Sequence, residues 1–251
     1  MKNKWYWAFK YIFFGPVLRV WNRPWTEGIE NIPAEGPAIL VSNHQAVMDS
    51  FFFPLVCPRQ ITFPAKSEYF TTPGFVGSLQ KWFFTSVGQV PIERDSEDAG
   101  DAIVQTAESI LSRGDLFGIY PEGTRSPDGR VYKGRTGMAR VAMATGAPIV
   151  LIGMMGSGKA NPIGTKIPRP VKVRIKVSEQ IHPHAWAAEH GKSGRIADHV
   201  DDPAVPGEDA VGQVVPDAGD GHGGFGEDRR GVEQRSMVLA AVHAVTKADA
   251  I

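Results

Sequence analysis

The sequence predicts an α/β fold: a mixed, mostly parallel sheet covered by helices, preceded by an N-terminal helix that binds a membrane interface. Three observations carry this. Short, mainly apolar runs suited to strands buried on both faces recur at Ala38–Val41, Ile61–Pro64, Gln89–Ile92, Leu116–Tyr120 and Ile149–Ile152. Helix-like segments alternate with them, the spacing of a sheet covered on both faces. Ahead of them all, the segment up to Trp21 crowds aromatic side chains between cations.

A chain of 251 residues, 42% of them hydrophobic, can bury one sizeable core. Residues 26–189 are expected to form a single catalytic domain. One cysteine, Cys57, excludes an intramolecular disulfide framework and any multi-cysteine metal site, and suits a reducing, cytoplasmic compartment. The formal charge is zero, but unevenly spread: residues 1–189 hold 21 Lys and Arg against 16 Asp and Glu, and residues 190–251 hold 6 against 11. A modestly basic body suits an anionic membrane surface or a phosphate-bearing substrate. No nucleic-acid partner is expected.

Residues 1–25 set Trp5, Tyr6, Trp7, Phe9, Tyr11, Ile12, Phe13 and Phe14 between Lys2, Lys4, Lys10 and Arg19. Crossing a bilayer takes about 20 successive apolar residues, and Lys10, Gly15-Pro16 and Arg19 interrupt this run. A secretory signal would need an uninterrupted apolar stretch and a small-residue cleavage site, which this segment does not offer. Rings beside lysines suit a helix lying in the headgroup layer with its cations on anionic lipid. An amphipathic helix packed on the protein's own core is the alternative. Phe51–Val56, Phe75-Val76 and Trp82–Phe84 add aromatic surface either to that membrane-facing patch or to the core.

After the turn-rich stretch Glu30–Pro37, the run Ala38–Val41 reads as a buried parallel strand. Between the third and fourth runs, Ser96 can cap a helix that buries Ile103, Ala107, Ile110 and Leu111 on one face and ends at Gly114. A second helix is expected over Thr136–Thr145. Val171, Val173, Ile175 and Val177 alternate with Lys172, Arg174 and Lys176, so this strand should be half exposed and near a sheet edge.

The chemistry begins where the first run ends, at Ser42-Asn43-His44, with Asp49 five residues beyond the histidine. An imidazole can remove a proton from an alcohol near neutral pH, and a carboxylate on its other nitrogen fixes the tautomer and stabilises the imidazolium. On a regular helix, residues five apart sit about 140° apart around the axis. His44 and Asp49 therefore meet only if His44 lies in the strand-to-helix turn and Asp49 reaches back from the first helical turn. A second cluster, Gly118–Ser126, also follows a strand. Arg125 offers a planar fork for a phosphate dianion, and Gly123 allows close backbone approach. Open α/β sheets bind ligands at the carboxyl ends of their strands, which is where both clusters fall.

Together these residues resemble the glycerophospholipid acyltransferase family, in particular its 1-acylglycerol-3-phosphate acyltransferases. The family's Asn-His-x4-Asp block matches Asn43, His44 and Asp49, and its Glu-Gly-Thr-Arg block matches Glu122, Gly123, Thr124 and Arg125. Gly88–Arg94 is similar to the block that carries the family's arginine, here Arg94; Thr85 replaces a basic residue upstream, with Lys66 and Lys81 nearby. Ala147–Ile152 is similar to the proline-led strand, with Pro148 present and Leu151 at a second proline's position. The four blocks fall in order over roughly residues 20–185.

By this resemblance His44, paired with Asp49, would deprotonate the free hydroxyl of a lysophospholipid, which then attacks the thioester carbonyl of acyl-CoA or acyl-carrier protein. Arg94 and Arg125 would hold the acceptor's phosphate, and Glu122, Gly123 and Thr124 would complete that site. Asn43, Lys66 and Pro148 would support it, and backbone N–H groups of a loop would stabilise the oxyanion. No metal, acyl-enzyme or cofactor beyond the acyl thioester is implied. The implied product is phosphatidic acid, made at the cytoplasmic face of the cell membrane by a peripheral or monotopic enzyme. Another lysophospholipid or an acylated amino-acid lipid as acceptor, and a catalytically idle lipid-binding protein of this fold, remain as alternatives.

Two further patterns are weaker. Gly153–Lys159 reads as G-x4-G-K, but Ala160 cannot ligate magnesium and Pro162 falls where a phosphate-cradling helix must run. His182, His184 and His190 have no cysteine partner and read as surface histidines. From residue 190 on, Gly and Asp dominate, Leu is absent until Leu239, and Phe225 is the sole Phe, Tyr or Trp. Such text cannot bury enough apolar surface to offset ordering entropy, so disorder is expected over most of 190–235, with a short helix near Met237–Ala248. Its composition also resembles a GC-rich coding region read out of frame.

Overall fold

Period-two alternation along the central strands decides which layer each side chain joins. The computed structural model describes residues 3–93, 99–132, 134, 137–165 and 167–190. The expectations for Ser96, for Arg94 and for residues 191–251 lie outside them. The strands are β1 (Trp25–Glu27), β2 (Ala38–Ser42), β3 (Ile61–Thr62), β4 (Pro64–Lys66), β5 (Val90–Ile92), β6 (Leu116–Ile119), β7 (Ile149–Met155) and β8 (Arg174–Ile181). Six of them form one sheet in the order β1-β8-β7-β2-β6-β3. All neighbours are parallel except β7 and β8, so the sheet is mixed and mostly parallel.

Two sequence readings are refined. The run Ile61–Pro64 splits: β3 joins the main sheet, whereas β4 pairs with β5 in a separate parallel ribbon. Pro64 and Pro91 lie in that ribbon, and a residue without an N–H is tolerated where every strand is an edge. The alternating strand begins later than expected, at Arg174, leaving Val171 and Val173 ahead of β8; it is near the edge as expected, but β1 lies outside it.

The helices are α1 (Lys4–Ala8), a π turn (Phe9–Phe13), α2 (Phe14–Trp21), α3 (Asp49–Val56), α4 (Glu68–Thr71), α5 (Gly74–Ser86), α6 (Ala99–Leu111), α7 (Gly137–Thr145), α8 (Ser157–Ala160) and α9 (Pro183–His190). One face of the sheet buries Leu40, Val150 and Ile152 against Phe52, Phe53 and Leu55 of α3 and Leu18 of α2. The other buries Ile39, Val41, Phe117 and Leu151 against Ala107, Ile110 and Leu111 of α6 and Met138 and Val141 of α7. Phe52, Phe53 and Phe117 are completely enclosed, and each such burial contributes about 1.5–3 kcal/mol.

The N-terminal helix has two faces. Asn3 caps α1 by accepting the N–H groups of Trp5 and Tyr6. Tyr6 and Leu18 point into the protein, while Ile12, Val17 and Val20 are 69%, 63% and 78% exposed. Lys10 departs from the sequence reading, which set it on lipid. The wider π turn shifts the helical phase, Lys10 is 7% exposed, and its ammonium donates to the Cys57 carbonyl beside the rings of Trp7 and Tyr11. Burial lowers its pKa to about 8. Among the described residues, no helix is long and apolar enough to cross a membrane.

Candidate active site

Strand register brings the two sequence clusters side by side. Val41 on β2 is level with Ile119 on β6, so the loops leaving these strands emerge together at the carboxyl end of the sheet. His44 lies in the loop after β2, and Asp49 is the first residue of α3. The His44 Nδ1 lies 3.0 Å from Asp49 Oδ2. The same oxygen accepts the backbone N–H groups of Gln45 at 2.7 Å and Ala46 at 2.8 Å. Asp49 is wholly buried, and the positive end of a helix dipole suits a carboxylate at this position. Because that carboxylate accepts, Nδ1 carries the hydrogen and Nε2 is left as the basic nitrogen.

Glu122 braces the two loops. Its Oε1 accepts the backbone N–H of His44 at 3.1 Å and its Oε2 that of Tyr132 at 3.2 Å. Burial raises the pKa of this carboxyl, and the two N–H donors act in the opposite direction. Both oxygens are thus engaged by the backbone, and Glu122 acts on the site by shaping the loop. Gly123 supports the same turn at φ 71°, the left-handed region that disfavours a side chain. The Ser126 N–H closes the arrangement on the His44 carbonyl at 2.7 Å.

Asn43 holds the other side of the histidine loop. Its Nδ2 donates to the Met154 carbonyl at 3.0 Å, and its Oδ1 accepts the Met154 N–H at 2.7 Å, just beyond the Ser42–Ile152 pair that ends the β2–β7 ladder.

His44 opens on a cavity of about 510 Å³. Gly123, Thr124, Arg125 and Lys66 are among its lining residues, and Phe9, Phe14, Phe51, Leu55, Phe83 and Phe84 supply much of its apolar wall. Among the described residues, no hydrogen bond or ion pair engages Arg125. Lys66 lies 3.7 Å from Glu68 and is level with Ile92, two residues before Arg94 in the sequence. Pro148 does not belong here. It precedes β7, and its carbonyl accepts the N–H of Ile39 at the opposite end of the strands, about 20 Å of strand away from Met154. Its proline fixes the start of β7 and supports the sheet only.

Sequence reasoning missed three residues. Tyr120 stacks on the His44 ring with centroids 4.0 Å apart, Phe63 stacks on Tyr120, and the Ser50 hydroxyl lies 3.1 Å from the Tyr120 hydroxyl. Nothing in their spacing marks them. The G-x4-G-K pattern forms no phosphate loop: its first three residues complete β7, and the Gly158 N–H faces Gln45. Among the described residues, no three His, Cys, Asp or Glu side chains are grouped to hold a metal.

Fold and site together define an α/β protein in which a histidine–carboxylate pair at the carboxyl end of the sheet faces a largely apolar cavity. The chain belongs to the acyltransferase family, which it matches over residues 24–155. It is 35% identical over 159 residues to a chloroplastic 1-acyl-sn-glycerol-3-phosphate acyltransferase of Arabidopsis thaliana, covering 62% of this chain and 43% of that protein. The corresponding protein of Brassica napus is 34% identical over 142 residues, covering 56% of this chain and 39% of its own. A Bacillus subtilis 1-acyl-sn-glycerol-3-phosphate acyltransferase is 26% identical over 166 residues, covering 66% of this chain and 74% of that protein. The chain spans less than half the length of these plant relatives. The crystal structure of the 1-acyl-sn-glycerophosphate acyltransferase PlsC from Thermotoga maritima superposes with a TM-score of 0.53 at 26% identity, covering 74% of this chain and 79% of that one.

Proposed function

We propose that this protein moves an acyl group from an acyl thioester to the free hydroxyl of 1-acylglycerol-3-phosphate, giving phosphatidic acid. The observation that carries the reading is the His44–Asp49 pair opening on a largely apolar cavity whose wall also holds Arg125 and Lys66. The names of the relatives support the acceptor. His44 Nε2 takes the hydroxyl proton as the oxygen attacks the thioester carbonyl. Asp49 stabilises the imidazolium, which returns the proton to the thiolate as the C–S bond breaks. Arg125, Lys66 and Arg94 hold the acceptor's phosphate, and the apolar part of the cavity takes an acyl chain. Acyl-CoA and acyl-carrier protein are the two candidate donors, and the reaction needs no further cofactor.

The exposed Ile12, Val17 and Val20, with Phe75 and Val76 of α5, support attachment to a membrane surface, for which we propose the cytoplasmic face; among the described residues no helix is long and apolar enough to cross the bilayer.

The test is transfer of labelled acyl-CoA to lysophosphatidic acid by the wild-type protein and by His44→Ala. A general base contributes about 10²–10⁴-fold, and the variant should lose that much. Wild-type turnover no higher than the variant's, with either donor, refutes the catalytic reading. A panel of other lysophospholipids and acylated amino-acid lipids tests the acceptor; equal rates without a phosphate monoester would refute the role of Arg125 and Arg94.

A further inference from the structure

We propose that Tyr120 is a positioning residue for His44, holding the imidazole in the plane that Asp49 requires and stabilising the imidazolium formed during transfer. This rests on the reading of His44 as the base. The two rings lie 15° from parallel with centroids 4.0 Å apart, well inside the range of about 6 Å over which an aromatic face attracts a cation. A neutral imidazole loses little without such a face, whereas an imidazolium gains from its negative quadrupole.

Tyr120 is itself held by two further contacts. Phe63 stacks on it at 5.4 Å and 10°, and Ser50, the residue after Asp49, meets its hydroxyl at 3.1 Å. Phe63 reaches this position because residue 118 has no side chain: a Cβ there would lie 2.4 Å from the Phe63 ring. Gly118 thus makes room for Phe63, which stacks on Tyr120, which stacks on the imidazole of His44. Burial holds the Tyr120 phenol far above its ordinary range, so it stays neutral and is no rival base. The charged groups bonded to His44 are Asp49 on α3, at the ring, and Glu122 in the loop after β6, at the backbone N–H; Arg125 and Lys66 line the cavity on which the imidazole opens.

The test compares Tyr120→Leu and Tyr120→Phe. Loss of the ring should lower kcat about tenfold to a hundredfold through misplacement of the imidazole and shift the His44 titration down by about half a pH unit. The phenylalanine variant keeps the face and should stay within about twofold of wild type in kcat. NMR titration of labelled histidines reads His44 without any substrate, its resonance assigned by loss in His44→Ala, and circular dichroism checks folding. An unshifted His44 titration in folded Tyr120→Leu overturns the proposal, as does a Tyr120→Phe loss as large as that of leucine. Absence of acyl transfer in the wild type would instead refute the proposed function, leaving the titration to decide the role of Tyr120.

Discussion

The Glu122 carboxylate accepts the backbone N–H of His44 at 3.1 Å, joining two loops 78 residues apart in the chain. Its second oxygen accepts from Tyr132, so a carboxylate suits this place better than an amide. Glu122→Gln turns an N–H2 toward one of the two donors and leaves it unpaired, a loss of about 1–3 kcal/mol. The thermal midpoint should fall by about 2–4 °C for each kcal/mol, and turnover should fall with it. An unchanged midpoint would show that the brace contributes nothing.

Gly118→Ala places a methyl group against the Phe63 ring. Overpacking of this kind costs about 1–3 kcal/mol. Adding Phe63→Leu should restore stability in chemical denaturation but not turnover, because Tyr120 then loses its stacking partner. Recovery of both would make the stack a matter of packing alone.

Lys10 links stability to pH. Its pKa falls from 10.5 in the open chain to about 8 in the fold. Between those values the unfolded chain keeps a proton that the folded chain has shed, so stability rises with pH; the increment is complete above 10.5 and lost as pH falls through 8. Lys10→Met should lack this rise, which amounts to about 3 kcal/mol at most. Burial pushes the nearby Cys57 thiol up to about 11, so it stays protonated over most of the window. Equal slopes for variant and wild type in urea titrations from pH 7 to about 10 would contradict the burial of Lys10.

The outward face of the N-terminal helix can be tested without disturbing the cavity. Deleting the helix would remove Tyr6, Phe9, Lys10, Phe14 and Leu18 from the cavity wall. Ile12→Glu with Val17→Glu alters only exposed positions. Each apolar side chain buried in lipid contributes about 1.5–3 kcal/mol, so flotation on vesicles rich in anionic lipid should drop at least tenfold. Unchanged flotation would move the interface to Phe75 and Val76.

The main strands were legible because burial on both faces needs unbroken apolar runs, as at Ala38–Val41 and Ile149–Ile152. The His44–Asp49 geometry was legible too, because five residues cannot close on one helix face. What escaped depends on register and phase. Tyr120 read as the end of a strand, and only the level pairing of β2 with β6 sets its ring against His44. Lys10 read as a lipid-facing cation because a π turn leaves no mark in residue spacing. Pro148 was placed by block order, but a strand's two ends lie at opposite edges of the sheet. Gln89–Ile92 had the composition of a strand, and composition alone does not say which sheet it joins.

Asn43 carries one more consequence. Its carboxamide gives Met154 one donor and one acceptor, the same pair a main-chain amide would offer, so the last rung between β2 and β7 is built from a side chain. The true backbone is released from the ladder one residue early and is free to turn toward Asp49 while the hydrogen-bond register continues unbroken. Aspartate has the shape but no hydrogen to give, and leucine has neither function. The position demands a surrogate peptide group, and the handover from rigid strand to reactive loop takes place on it without a frayed end.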